Sequence, residues 1–158
     1  MKRFLALFLV VAVLLLSCIT ATEDQVKVVR VIDGDTIEIA GGAHVRYIGI
    51  DTPETYPKVE FYGPEAKAKN IELVEGKLVT LEKDVSETDK YGRLLRYVYV
   101  DGIFVNGELV RLGYAEAVAY PPDTRYQWQL EQLEKEAKSA KRGLWSDLVV
   151  RAQNIRLY

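Results

Sequence analysis

Short runs in which β-branched and other apolar residues alternate with polar ones cover much of this chain, a pattern typical of β-strands. Turn residues, mostly glycine and aspartate, separate five such runs: residues 26–32, 36–39, 45–50, 78–81 and 95–100. The first three follow one another closely, which predicts three consecutive antiparallel strands. After the fifth run, Asp101-Gly102 predicts a tight hairpin turn that leads into residues 103–105.

Three further segments have the features of helices. The first begins at Pro64, where the missing N–H costs no hydrogen bond, and ends at Gly76 as its C-terminal stop. A short second helix is predicted to have Asn106 as its N-cap and to close at Gly113. The third extends from about Tyr126 to Lys141, where apolar residues recur three and four apart along one face.

Three strands, a helix and two further strands with helices appended predict an α+β fold that is mainly β. The matching architecture is a five-stranded Greek-key barrel with three helices, because closing the sheet removes exposed edges and leaves one face open for oligonucleotides. An open α+β sandwich is the alternative. We expect residues 26–148 to form one domain and residues 149–158 a C-terminal tail, since no internal repeat or break in composition predicts a second domain.

The N-terminal residues have the pattern of an export signal. Lys2 and Arg3 precede thirteen uninterrupted apolar residues, 4–16, which is the length of the apolar region of a signal peptide and short for a membrane span. We therefore expect residues 1–18 to be a signal peptide and the protein to be exported.

The only cysteine, Cys18, follows the apolar stretch directly, in Leu15-Leu16-Ser17-Cys18. This arrangement resembles the lipobox of bacterial-type lipoproteins, in which the cysteine is lipidated and becomes the mature N-terminus. Residues 19–25 would then be a short tether, and the lipidated cysteine would attach a cell-surface lipoprotein to the membrane. Ordinary cleavage near Ala21 is the alternative and would give a secreted protein.

The charge balance limits how a nucleic acid could bind. Removal of residues 1–18 takes away two basic residues and no acidic one, so the formal net charge changes from −2 to −4. Phosphate binding usually depends on a basic surface. A nucleic-acid partner therefore requires a locally basic cleft, to which a bound cation would add charge.

Four polar clusters together predict a site for phosphodiester cleavage: residues 33–36, Arg46, residues 51–55 and residues 89–93. Asp35 follows a glycine turn and Asp51 ends a predicted strand, so both carboxylates can point into one pocket and bind a hard divalent cation. The sole histidine, His44, lies in a predicted strand and gives no basis for a zinc or copper site. Asp33 is expected only to stabilise its turn.

The remaining residues of the clusters supply the other parts of a phosphoryl-transfer site. Glu54 is a candidate general base for an attacking water, and Pro53 favours an extended Thr52 that presents its carbonyl. Arg46 and Arg93 are candidates for stabilising the charge of the transition state, since a guanidinium matches two phosphoryl oxygens.

Three residues are candidates for binding the substrate. Lys90 and Tyr91 suit a terminal phosphate or a stacked base, and Tyr120, ahead of Pro121-Pro122, is a second stacking candidate. The other tyrosines are expected to pack in the core.

The chain resembles the staphylococcal nuclease (thermonuclease) family from about Val26 to Trp145. The family's motifs recur in order: Asp-Gly-Asp-Thr, Arg, Asp-Thr-Pro-Glu-Thr, Tyr-Gly-Pro-Glu-Ala and Thr-Asp-Lys-Tyr-Gly-Arg. The resemblance implies an oligonucleotide-binding (OB) fold and Ca²⁺-dependent hydrolysis of DNA and RNA that gives 3′-phosphate and 5′-hydroxyl ends. The loop of residues 55–62 is shorter than in the best-known member.

By position in these motifs, the resemblance implies a role for each site residue. Asp35 and Asp51, with the Thr52 carbonyl, correspond to the calcium ligands. The catalytic residues correspond to Arg46, Glu54 and Arg93, and the contacts to nucleotide phosphates correspond to Lys90 and Tyr91.

We therefore expect an exported, monomeric, Ca²⁺-dependent nuclease that acts on DNA and RNA and favours single strands. A non-catalytic, oligonucleotide-binding OB-fold lipoprotein is the alternative from another class. A structural envelope lipoprotein would account for Cys18 but leaves the arginines and carboxylates of the four clusters unexplained.

Overall fold

The computed structural model describes residues 25–147, so the predictions of a signal peptide, of a lipidated Cys18 and of a C-terminal tail lie outside the described residues. Four of the five alternating runs form strands where they are expected. The run 45–50 differs, because a turn at Ile48-Gly49, where Gly49 has a φ of 78°, divides it into two strands. Two further short strands join them, one of them after the predicted hairpin turn. The strands are β1 (Gln25–Asp33), β2 (Thr36–Ile39), β3 (His44–Tyr47), β4 (Ile50–Asp51), β5 (Leu78–Glu82), β6 (Leu94–Val100), β7 (Ile103–Phe104) and β8 (Glu116–Ala117).

Five of these strands close into a barrel. Four antiparallel pairings build it: β1 with β2, β2 with β3, β1 with β5, and β5 with β6. The barrel closes because β3 and β6 pair in parallel, with Arg46 opposite Leu95. This closure confirms the five-stranded OB-fold barrel over the open sandwich.

The predicted hairpin turn is confirmed. Asp101 and Gly102 both have positive φ, 49° and 78°, and they connect β6 to β7, which pair antiparallel. Outside the barrel, β4 and β8 form a small second sheet in which Asp51 lies opposite Glu116.

Three helices pack on the barrel, as predicted: α1 (Gly63–Val74), α2 (Val105–Arg111) and α3 (Gln127–Ser139), followed by a 3₁₀ turn at Gly143–Trp145. Leu109 of α2 and Leu130 of α3 are fully buried in one cluster with Val45 and Tyr47 of β3. Side chains of the strand that carries Arg46 therefore belong to the same core as those of two helices.

The assignment of Asn106 as a helix cap is wrong. Asn106 lies inside the first turn of α2, and its fully buried side chain accepts a hydrogen bond from the Val98 N–H (2.9 Å) and donates one to the Ile48 carbonyl (2.9 Å). The amide therefore connects β6 to the residue that follows β3, which no local pattern around position 106 reveals.

Over the part of the chain that the structure describes, none of the helices combines the length and the apolar character needed to cross a membrane.

Asn106→Ala is expected to lower the free energy of unfolding by about 3 kcal/mol, because it leaves a buried N–H and a buried carbonyl without partners. Urea unfolding followed by circular dichroism measures the change. Gln129→Ala on the exposed face of α3 is the control and should change stability by less than about 0.5 kcal/mol. A loss at Asn106 as small as that of the control would contradict the buried bridge.

Candidate active site

Arg46 is the central residue of the site. Its side chain is only 10% exposed, and one terminal nitrogen, Nη1, donates to the carbonyls of Tyr47 (2.7 Å) and Ile50 (2.8 Å). The other, Nη2, lies 2.8 Å from Asp51 Oδ1 and 3.1 Å from Asp35 Oδ2. A single guanidinium nitrogen therefore joins the two carboxylates that the sequence predicted to converge.

Asp35 is held in place from several directions. It lies just ahead of β2 and is buried, and its Oδ2 accepts hydrogen bonds from both the N–H (3.0 Å) and the hydroxyl (3.1 Å) of Thr52. The Thr36 hydroxyl donates to the other oxygen, Oδ1, at 3.0 Å. Asp35 and Thr52 are thus in direct contact through the N–H and the hydroxyl of Thr52, not through the carbonyl that is the predicted ligand.

Asp51 is the accessible member of the carboxylate pair. It ends β4, and its side chain is 59% exposed although Oδ1 contacts Arg46. The second oxygen of its carboxylate can therefore face a ligand that approaches from solvent.

Glu54 lies in the loop that follows β4, close to three other carboxylates. Partial loss of hydration, a hydrogen bond with Asp33 and the negative charges of Asp33, Asp35 and Asp51 raise the pKa of Glu54 to about 7. A carboxyl with a pKa in this range can accept a proton near neutral pH more readily than an ordinary glutamate.

The two carboxyl groups on Arg46 also ionise less readily than usual. Burial raises the pKa of Asp35, although Arg46 and the Thr52 N–H act in the opposite direction. Burial likewise raises the pKa of Asp51, and the charges of Glu116 and Glu60 add to this effect. The site therefore concentrates more negative charge than Arg46 alone offsets.

This donor set fits a hard divalent cation. Carboxylates together with a backbone carbonyl are the oxygen ligands that Ca²⁺ takes in proteins, and a cation would offset the excess negative charge. Within residues 25–147, no group of three or more His, Cys, Asp or Glu side chains is placed to hold a metal ion by itself. A cation between Asp35 and Asp51 would therefore also need backbone and water oxygens.

Arg93 belongs to a neighbouring group of residues. It ends the Asp89–Arg93 turn just before β6, and its backbone N–H and Nε both donate to the Asp89 carboxylate, at 3.0 and 2.7 Å. Burial by itself would raise the pKa of Asp89. Hydrogen bonds from Arg93 and Tyr91 outweigh this effect and hold that pKa below its ordinary value. Because the side-chain contact uses Nε, the outer edge of the guanidinium remains for a second anion.

The three predicted substrate-binding residues lie together with Arg93. Lys90, Tyr91, Arg93 and Tyr120 line one open cavity of about 290 Å³. The Tyr91 ring is 73% exposed, with Lys90 Nζ 4.9 Å and Arg93 Cζ 5.5 Å from its centroid. An exposed ring flanked by cations is suited to a base and its phosphate.

A larger cavity, of about 560 Å³, lies between β5 and the β6–β7 turn. Its lining contains the carboxylates of Glu82 and Asp101 and no lysine or arginine among the described residues. Acidic walls repel phosphate. The smaller cavity also contains the carboxylates of Asp89 and Asp123, but it has Lys90 and Arg93 beside them, so it is the one suited to nucleic acid.

The expectation that Asp33 only stabilises its own turn is incomplete. Oδ1 accepts the Gly34 N–H (2.9 Å) as a turn residue would, but it also accepts the Thr55 hydroxyl (3.1 Å). Asp33 thereby fixes the residue next to Glu54 from 22 positions away. Glu60 also contacts the Glu54 backbone, and nothing in the sequence near Glu60 signals that contact.

The geometry agrees with comparisons to known proteins. Residues 44–147 match the family model described as staphylococcal nuclease homologue. The chain is 40% identical over 133 residues to a thermonuclease of Staphylococcus hyicus, which covers 80% of this chain and 79% of the relative.

Two relatives from Bacillus subtilis (strain 168) are longer. The SPbeta prophage-derived endonuclease YokF and the endonuclease YncB are each 46% identical over 125 residues, or 74% of this chain. The matched region spans 42% of the former and 59% of the latter. With the closed barrel and the family match over residues 44–147, these likenesses establish that the chain belongs to the staphylococcal nuclease family.

Proposed function

We propose that this chain is an exported, Ca²⁺-dependent nuclease that hydrolyses DNA and RNA to 3′-phosphate and 5′-hydroxyl ends. Its family and its endonuclease and thermonuclease relatives make it a nuclease, that is, a phosphodiester hydrolase. The observation that carries the finer proposal is the contact of one Arg46 nitrogen with both Asp35 and Asp51.

In this proposal Asp35, Asp51 and the Thr52 carbonyl hold the cation. Ca²⁺ supplies a positive charge that polarises a phosphoryl oxygen and makes a nearby water more acidic. A cation bound there would act against the burial that raises the pKa of Asp35 and Asp51, because it stabilises their ionised forms.

Glu54 is proposed to accept the proton of the water that attacks phosphorus. Its carboxyl lies close enough to Asp33, Asp35 and Asp51 for their charges to act on it, and a cation at Asp35 and Asp51 would favour the ionised form that a general base requires. Arg46 and Arg93 are proposed to stabilise the negative charge that develops on the phosphoryl oxygens. Asp89 holds Arg93 through Nε, so its terminal nitrogens can meet a phosphoryl oxygen with little reorganisation. Both terminal nitrogens of Arg46 already have partners, so Arg46 acts through its positive charge beside the site.

The cavity of Lys90, Tyr91 and Tyr120 is proposed to bind the substrate strand beside Arg93. Base stacking needs an unpaired base, so we propose that single strands are favoured over duplexes. Lys90 and Arg93 also supply the local positive charge that the acidic chain lacks as a whole.

The competing function is a binding module that does not cleave, and one incubation distinguishes the two. We expect the protein to degrade single-stranded DNA with Ca²⁺ and to leave it intact with a chelator. Binding that is insensitive to the chelator, with no cleavage in either condition, would support the binding module instead.

Glu54→Gln is expected to lower kcat by about 10²–10⁴-fold, because an amide cannot take the proton from water. Steady-state cleavage of single-stranded DNA at saturating Ca²⁺ measures the change, and circular dichroism checks the fold. Glu65→Gln, an exposed glutamate in the first turn of α1, is the matched control and should retain wild-type turnover. Wild-type turnover in folded Glu54→Gln would refute the proposed base.

Ca²⁺ is expected to stabilise the folded chain, by about 2.7 kcal/mol at a hundredfold excess over its dissociation constant. Asp51→Asn should lose this increment, because an amide replaces the accessible carboxylate. Calorimetric melting with and without Ca²⁺ measures it, and Asp101→Asn in the β6–β7 turn is the control. An increment that persists in Asp51→Asn would place the cation elsewhere.

A further inference from the structure

The loop between β4 and α1 is closed by a reciprocal pair of hydrogen bonds. The Glu60 N–H donates to the Glu54 carbonyl at 2.8 Å, and the Glu54 N–H donates to Glu60 Oε2 at 3.0 Å. One residue thus binds both backbone polar groups of Glu54. Both contacts join positions that are six residues apart, so they define a closed loop rather than a turn of helix.

Two further contacts fix the backbone on either side. The Thr55 hydroxyl donates to Asp33 at 3.1 Å. Gly63, at the start of α1, packs so closely that a Cβ there would lie 2.5 Å from the Glu54 carbonyl oxygen and 2.9 Å from that of Pro53. The base of the loop is therefore held from three directions.

The tip of the loop is held much less. Tyr56 is 81% exposed and Val59 is 58% exposed. The contacts of this loop therefore concentrate on the backbone of Glu54 and Thr55, not on the residues between them and Glu60.

We propose that Glu60 is a positioning residue for Glu54, and that its carboxylate sets the place from which the Glu54 carboxylate acts. This inference rests on the proposed role of Glu54 as the general base. Displacement of a catalytic group by about 1 Å can cost about 10²-fold in rate, so an anchor on its own backbone has a direct effect on turnover. Glu60 is itself exposed, and global unfolding is expected to depend on it only weakly.

The charge of Glu60 has a separate effect, which the test must distinguish from the hydrogen bond. Glu60 adds negative charge near Asp51. Glu60→Gln removes that charge and keeps an oxygen that can accept the Glu54 N–H, whereas Glu60→Ala removes both. The pair of variants therefore isolates the hydrogen bond, provided that Ca²⁺ is saturating for each.

The test measures kcat and KM for single-stranded DNA in both variants. We expect Glu60→Ala to lower kcat by about tenfold or more with KM within about twofold, and Glu60→Gln to restore kcat to within about threefold of wild type. Glu65→Ala is the matched control. If alanine prevents folding, Glu60→Asp, whose carboxylate is one methylene shorter, gives the same comparison.

A double variant and an activity-independent measurement complete the test. In a Glu54→Gln background, Glu60→Ala should cause no further loss of kcat, because the group that it positions is already inactive. Amide hydrogen exchange by NMR should be faster at Glu54 in Glu60→Ala than in wild type, whether or not the protein cleaves DNA. If the protein does not cleave DNA but Glu60→Ala still makes amide exchange at Glu54 faster, the proposed function is refuted while the contact of Glu60 with the Glu54 backbone is confirmed.

Three results would overturn the positioning role. They are unchanged Glu54 exchange in folded Glu60→Ala, equal losses of kcat in the alanine and glutamine variants, and a loss in the Glu54→Gln background as large as that in wild type.

Discussion

The contact of the Arg46 guanidinium with Asp35 and Asp51 is the interaction on which the site depends. Burial raises the pKa of both carboxyl groups, so their ionised forms are stabilised by a compensating positive charge. Arg46 supplies that charge, and its other terminal nitrogen is fixed by the Tyr47 and Ile50 carbonyls. The arginine therefore determines both the spacing of the carboxylates and the path of the chain between them.

The closure of the barrel places Arg46 close in the fold to the turn that carries Arg93. Because β3 pairs with β6, Arg46 lies opposite Leu95, two positions after Arg93. The Asp89–Arg93 turn and its cavity are thus attached directly to the strand that carries Arg46. A parallel pairing between strands distant in sequence brings together two groups of polar residues that local structure alone would leave apart.

Local charge explains how an acidic chain can bind a polyanion. Lys90 and Arg93 line the cavity of Tyr91 and Tyr120 together with two aspartates. Of these, Asp89 is paired with Arg93, and Asp123 accepts two backbone N–H groups. Attraction of phosphate depends on the charges within about one Debye length, about 8 Å at physiological ionic strength, more than on the net charge. The neighbouring positive groups therefore matter more than the formal net charge of −2.

The strands and the Asp101-Gly102 turn could be predicted from sequence because both depend on alternation and turn preference within a few residues. The convergence of Asp35 and Asp51 could be anticipated because strand ends present their side chains at an edge. The role of Asn106 could not, since its partners are Ile48 and Val98 and its position imitates a helix cap. The contacts of Asp33 with Thr55 and of Glu60 with Glu54 could not be predicted for the same reason, because backbone anchoring across a loop leaves no periodic signal.

A Ca²⁺ titration tests most directly whether Asp35 and Asp51 form one cation site beside Arg46. NMR follows the side-chain carboxyl carbons of Asp35 and Asp51, and DNA cleavage is measured in the same samples. If one cation site forms beside Arg46, both resonances shift with a single common midpoint, and cleavage rises with the same midpoint. Shifts confined to other carboxylates, or full cleavage in the presence of chelator, would contradict it.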